Sequence, residues 1–138
     1  MAENINIKKE NGKTYIFCLV RKKWLVLTPE EKVRQFTLKK LIEVYHYPLK
    51  YISAEKMVKV HDLKKRYDIV IYSQYLQPQI LIECKAPDIL LDEKTLKQIA
   101  IYNLKLQVPY LMVTNGHTEH CFEVKDGEVK QIKRLPPL

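Results

Sequence analysis

A mixed β-sheet flanked by helices, an α/β (α+β) sandwich, is the fold class this chain predicts. Three observations lead there. Short apolar runs have strand character, two segments carry well-marked helix starts, and the order along the chain is strand, helix, three strands, helix, strand and hairpin.

The first strand is "KTYIFCLV", after which "RKKWLVLTPEE" carries the chain to a helix start. Thr28 is placed as N-cap, Pro29 as the first helical residue and Glu31 as the third, a capping box that opens a helix running to about Tyr45. "YISAEKMVKV", "RYDIVIYS" and "QILIEC" follow as three strands joined by short polar segments. Asp92 is the expected N-cap of a second helix reaching about Gln107, with Leu91 and Leu96 spaced for a hydrophobic staple. "VPYLMV", the turn "TNG" and "HCFEVKDGEVKQIK" complete the chain, and Asp126-Gly127 marks a two-residue hairpin turn. Residues 1–12 and the terminal "RLPPL" look flexible, so the expected organisation is one domain over 13–134 and a tail over 135–138.

At 138 residues one core suffices, and disulfides are not required for stability. Cys18, Cys84 and Cys121 are odd in number, unclustered and set in apolar runs, which reads as reduced thiols in the cytoplasm. The polar start "MAENINIKKENGK" lacks a signal-peptide core, and no run approaches the length of a membrane span. Lys and Arg outnumber Asp and Glu 24 to 16, giving a net charge of +8 and a pI near 9.3. Such a field attracts polyanions and favours nucleic acid as the partner.

The chemistry concentrates around "ILIECKAPD", residues 80–88, where Glu83 and Lys85 end an otherwise apolar strand. Alternation puts Ile80, Ile82 and Cys84 on one face and Leu81, Glu83 and Lys85 on the other. If the preceding strand forms a hairpin turning at Tyr75 and Leu76, Asp68 falls opposite Glu83, and the core isoleucines 69, 71, 80 and 82 share a side. Asp68, Val70 and Tyr72 are then expected on the same face as Glu83, with the two carboxylates about 5 Å apart. A divalent cation such as Mg²⁺ or Mn²⁺ would relieve that repulsion, and Lys85 beside it could act on an attacking water or on phosphate charge. An ordinary ion pair of Lys85 with either carboxylate needs no metal, and for E-x-K alone it is the better account.

Asp68 followed by Glu83-Cys84-Lys85 resembles the PD-(D/E)xK nuclease signature, and "QIAIY" places Gln98 and Tyr102 one turn apart, similar to the Q-x-x-x-Y element of its RecB-like branch. The wider pattern of "RKKWLVLTPEEKVRQ", "KKRYDIVIY", "ILIECKAP", "QIAIYN" and "VPYLMVTNG" resembles the N-terminal nuclease domain of type I restriction enzyme R proteins over roughly residues 13–125. The resemblance implies a restriction-endonuclease-like fold and metal-dependent hydrolysis of DNA phosphodiesters. Asp68 and Glu83 would sit on metal, Lys85 would act on the water, and Gln98 and Tyr102 would position the lysine or the DNA backbone. It also implies other restriction-modification subunits as partners. No G-x-x-x-x-G-K-[ST] loop occurs, so only the nuclease module is implied, without translocation.

Glu31 is expected either as the capping-box residue or as a further metal ligand, since it lies on the inward stripe of the first helix with Gln35, Leu38 and Ile42. Arg34, in the same sector, is expected to pair with one of the carboxylates or to contact phosphate. Lys64, Lys65 and Arg66 immediately precede Asp68 and are placed to hold the DNA backbone. His117, His120 and Cys121 lack the paired spacing of a zinc site. The competing functional reading is a DNA-binding or complex-forming module that keeps the fold without turnover.

Overall fold

A computed structural model describes residues 6–60 and 62–137. Strands β1 (Ile7–Glu10), β2 (Lys13–Cys18) and β3 (Lys23–Val26) form a small antiparallel sheet, and helix α1 (Pro29–Glu43) follows. A 3₁₀ turn (Leu49–Tyr51) leads into β4 (Ile52–Val60), β5 (Leu63–Tyr72) and β6 (Pro78–Cys84). Helix α2 (Glu93–Leu106) connects β6 to β7 (Tyr110–Thr114), and β8 (Glu119–Lys125) and β9 (Glu128–Ile132) close the chain. The main sheet has six strands in the order β4-β5-β6-β7-β8-β9, antiparallel throughout except for the parallel β6–β7 pair that α2 bridges. This is the mixed sheet flanked by helices that the sequence predicts.

Each helix covers one face of that sheet. Ile69, Ile71, Ile80, Ile82 and Cys84 pack with Val33, Leu38 and Leu41 of α1, and the small sheet adds Cys18 and Leu25 to the same cluster. Val70, Leu81, Leu111 and Val113 pack on the other face with Leu106, Leu96 and Ile99 of α2. Each such fully buried aliphatic side chain contributes about 1.5–3 kcal/mol through the surface it removes from water. Both helix starts are as expected. The Thr28 side chain accepts a hydrogen bond from Glu31 N at 3.0 Å, and Asp92 Oδ1 accepts one from Thr95 N at 2.8 Å. Glu31 nevertheless does not complete a capping box, because its carboxylate turns inward to other partners described below.

Two expectations about the chain ends are corrected. Residues 7–10, expected in a flexible terminus, form β1, because Asn11 (φ 51°) and Gly12 (φ 78°) make a tight left-handed turn that brings Glu10 opposite Lys13. The linking segment "RKKWLVL" likewise holds a third strand, β3. At the other end Leu135 is buried, its N–H donates to Tyr45 Oη, and Tyr47 Oη donates to the carbonyl of Pro136. The C-terminal segment is thereby tied to the loop after α1. Residues 1–5, also assigned to the flexible terminus, lie outside the described residues, as does Leu138.

Candidate active site

The β5–β6 hairpin sets the site. Its ladder pairs Ile69 with Ile82, Val70 with Leu81 and Ile71 with Ile80, so the register expected from the sequence holds, and the turn falls over Ser73–Gln77 after a bulge at Ile71/Tyr72. One step beyond Ile69 and Ile82 stand Asp68 and Glu83. There the regular ladder stops, and Asp68 Oδ2 accepts the Cys84 N–H at 2.8 Å, taking the role of a backbone carbonyl.

The expectation that Asp68 and Glu83 share a face is corrected. Val70 and Tyr72 lie on the α2 side as does Tyr67, whereas Asp68 turns to the α1 side and meets Arg34. Two adjacent residues, Asp68 and Ile69, thus face the same way. The cause lies in the neighbouring strand, where β4–β5 pairing runs from Ala54↔Ile69 to Lys56↔Tyr67 and passes over Glu55, held at φ 55°. A positive φ is uncommon for glutamate and costs of order 1–3 kcal/mol unless its surroundings compensate. Here Glu55 Oε1 reaches Arg34 Nη2 at 2.8 Å.

Arg34 is the centre of the α1 side. Its Nε and Nη2 donate to Asp68 Oδ1 at 3.2 and 2.6 Å, its Nη2 also reaches Glu30 Oε1 at 3.2 Å, and its Nη1 donates to Glu31 Oε1. Only 7% of the Arg34 side chain is exposed. Burial by itself would lower its pKa, but the hydrogen bond and charge of Asp68, with the charges of Glu31 and Glu55, reverse this and raise it. Arg34 therefore pairs with carboxylates, the first of its two expected roles, and its donors point into the protein. Glu31 is further held by Arg21 Nη2 at 3.0 and 3.2 Å and by Gln35 Nε2 at 2.8 Å. Its link to Asp68 runs through Arg34.

On the α2 side, Glu83 Oε1 is met by the ammonium of Lys65, and its other oxygen, Oε2, is buried with no hydrogen-bond partner among the described residues. Lys65 lies 4.7 Å from the Tyr67 ring centroid and 5.7 Å from that of Tyr102. Tyr67, fully buried, donates to Asn103 Oδ1 at 2.8 Å, and Asn103 Nδ2 donates to the carbonyl of Ile99. Burial first, and the charge of Glu83 second, push the Tyr67 hydroxyl far up, so it stays protonated and acts as a donor. Lys85 is anchored by its N–H to the carbonyl of Thr114 at 2.8 Å, and its half-buried side chain has no hydrogen bond or ion pair with a described residue. Tyr102 Oη donates to the carbonyl of Lys64 at 3.4 Å, and Gln98 is exposed. Lys64 and Arg66 are exposed, Arg66 standing 3.9 Å from Glu55. Lys65 is thus separated in role from its two neighbours.

Sequence reasoning missed Glu55, Arg21, Tyr67 and Asn103. Asn103 carried a usable signal, a polar residue in the apolar stripe formed by Ile99 and Leu106 of α2. Glu55 carried none, since nothing in the sequence marks a glutamate for positive φ. Among the described residues no group of three or more His, Cys, Asp or Glu side chains converges to hold a metal, because Arg34 and Lys65 draw Asp68 and Glu83 to opposite sides. The donor chemistry does suit a hard cation. Both groups are carboxylates, which Mg²⁺ prefers, and the orphaned Glu83 Oε2 is an acceptor that a cation would satisfy.

No curated protein matches the chain. Among solved structures it is similar to a protein of Anabaena variabilis described as a candidate nuclease of the DUF820 group, with a TM-score of 0.52 and 13% identity over 94% of this chain and 79% of that one. That likeness establishes the fold. The family model described as type I restriction enzyme R protein N terminus (HSDR_N) matches residues 29–136, from the start of α1 to the C-terminal segment. Carrying the PD-(D/E)xK-like pattern at the end of β6 on a nuclease-like fold, this chain belongs to the family of type I restriction enzyme R protein N-termini.

Proposed function

We propose that this domain is a Mg²⁺- or Mn²⁺-dependent endonuclease module that hydrolyses DNA phosphodiester bonds, acting in the cytoplasm beside other restriction-modification subunits. The observation that carries this reading is the placement of Asp68 and Glu83-Cys84-Lys85 where β5 and β6 part, with one Glu83 oxygen buried and without a partner among the described residues. Glu83 would hold the cation through Oε2, and Asp68 would join it on turning from Arg34. When bound, it would supply Lewis acidity, polarising the scissile phosphate and lowering the pKa of water. Lys85, uncommitted to any described carboxylate, is free to orient the attacking water or to offset charge gathering on phosphorus. The exposed Lys64 and Arg66 suit contacts to the DNA backbone, and Tyr102 fixes their strand to α2 through the Lys64 carbonyl. Gln98, exposed one turn before Tyr102, suits contact with the DNA backbone.

A second reading, a DNA-binding or complex-forming module without turnover, draws on the engagement of both carboxylates by the protein's own cations. Purified protein incubated with supercoiled plasmid and Mg²⁺ or Mn²⁺ separates the two. Nicking or linearisation that Lys85→Ala reduces by at least about a hundredfold supports the nuclease, in line with the loss of one general acid–base group. Salt-sensitive binding of the plasmid with no cleavage in either metal supports the module.

A further inference from the structure

Lys65 occupies a position that the nuclease reading leaves unexplained. Its neighbours Lys64 and Arg66 point into solvent, but its ammonium turns back onto Glu83, a carboxylate only 8% exposed. Without a cation that carboxylate would be a buried charge with no compensation, an unfavourable state in a protein interior. Lys65 also sits against the Tyr67 and Tyr102 rings, 4.7 and 5.7 Å from its Nζ while it holds Glu83, so ring contact is available to the ammonium when the carboxylate is given up. About a third of its side chain is exposed, so the ammonium can leave Glu83 without crossing packed core. Arg34 differs on each count, being buried and bound to four carboxylates.

We propose that Lys65 is a built-in place-holder for the divalent cation: it neutralises Glu83 in the metal-free protein, competes with metal for that carboxylate, and releases it, keeping its contact with the Tyr67 and Tyr102 rings, when metal binds. The inference rests on the metal reading of the site given above. It makes Lys65 a positioning residue that sets the metal concentration at which the site fills, and it distinguishes Lys65 from its neighbours on the basic strand. Competition of this kind weakens apparent affinity by the fraction of time the site is free. A lysine that holds Glu83 about nine-tenths of the time therefore costs about tenfold in metal affinity.

The test is Mn²⁺ binding by the intact chain, read from loss of the free-ion electron paramagnetic resonance signal and from the rise in melting temperature. Lys65→Met keeps the aliphatic stem over the tyrosines and removes the charge, and it should bind Mn²⁺ about tenfold more tightly than the parent. Lys65→Arg keeps a cation with a stronger, forked grip on carboxylate and should bind more weakly. Lys64→Met, which removes the same charge one residue away, should stay within about twofold, since an exposed charge at that distance is largely screened. If Lys65→Met proves too unstable to fold, the Lys65→Arg shift decides alone. Parent, Lys65→Met and Lys65→Arg binding Mn²⁺ equally would overturn the place-holder and leave the metal reading standing. Equal shifts for Lys64→Met and Lys65→Met would reduce it to a general charge effect, which also overturns it. No Mn²⁺ binding by the parent or any variant would remove the metal reading itself.

Discussion

Asp68 and Glu83 stand opposite each other where β5 and β6 separate, yet the protein holds them by unlike means. Asp68 is clamped from the α1 side by Arg34, which is buried and shared with Glu30, Glu31 and Glu55, and it accepts a backbone N–H as well. Glu83 is met from the α2 side by Lys65, which is partly exposed, and keeps one oxygen with no partner among the described residues. The first arrangement binds together α1, the edge strand β4 and β5. The second satisfies a single oxygen. Charge compensation on the α1 face thus serves the fold, whereas on the α2 face it leaves capacity for a further ligand.

The sharpest way to break this contrast is to remove Arg34. Arg34→Ala leaves Asp68 and Glu31 charged on a buried surface and removes the partner that offsets the positive φ of Glu55, so unfolding stability should fall by about 3–5 kcal/mol. Urea unfolding followed by circular dichroism measures it through the midpoint at constant slope. A loss below about 1 kcal/mol, the range of surface ion pairs, would mean that the cluster is not structural. Lys65→Met, read in the same experiment without metal, should cost clearly less.

A smaller effect is expected at Asp68 itself. Asp68→Asn keeps an oxygen for the Cys84 N–H but weakens the bond to Arg34, a charge-assisted interaction worth about 1.5–3 kcal/mol. Repulsion between Asp68 and Glu83 alone would make the variant more stable in chelator, but with Arg34 seated on Asp68 the expectation is the reverse, and it should melt lower. It should also gain less than the parent from added Mg²⁺ or Mn²⁺, because a cation binding only the native state stabilises by mass action. Equal metal responses in the two proteins would take Asp68 out of the metal site and leave it a purely structural partner of Arg34.

What the sequence shows and hides follows the same division. Register, core faces and both helix starts were legible, because they rest on local signals: the alternation of Ile69, Ile71, Ile80 and Ile82, and the caps Thr28 and Asp92. The charged pattern at Asp68, Glu83 and Lys85 was legible as well. Which cation each carboxylate would meet was not, because that depends on Glu55 breaking the alternation of β5, and on a helix 34 residues away in sequence supplying Arg34. Pattern reading assumes an unbroken pleat, and the pleat is interrupted at Asp68. The small N-terminal sheet is a different case, since Asn11-Gly12 is as clear a hairpin signal as Asp126-Gly127 and both adopt positive φ at both turn residues.

The smallest expected effect lies outside the site, at the starts of the two helices, and sharpens the comparison of their faces. Thr28 caps α1 without charge, whereas Asp92 caps α2 with a carboxylate whose pKa is lowered by its hydrogen bonds from Thr95, the side chain contributing most and the backbone N–H next. Because the folded carboxyl binds protons less readily than the unfolded one, the charge stabilises the fold above the usual aspartate range. That contribution is lost as the pH falls through the lowered folded value. Asp92→Asn keeps a good N-cap but has no charge for the helix N-terminus to favour, so it should melt slightly below the parent at neutral pH. The gap should narrow on acidification below the usual aspartate range, as the pH falls through the lowered folded value and Asp92 in the parent becomes protonated as well. Melting curves of the two proteins across that range provide the measurement. A gap that stays constant with pH would show that the cap works through hydrogen-bond geometry alone, and α2 would then start as α1 does, with no electrostatic contribution from its capping residue.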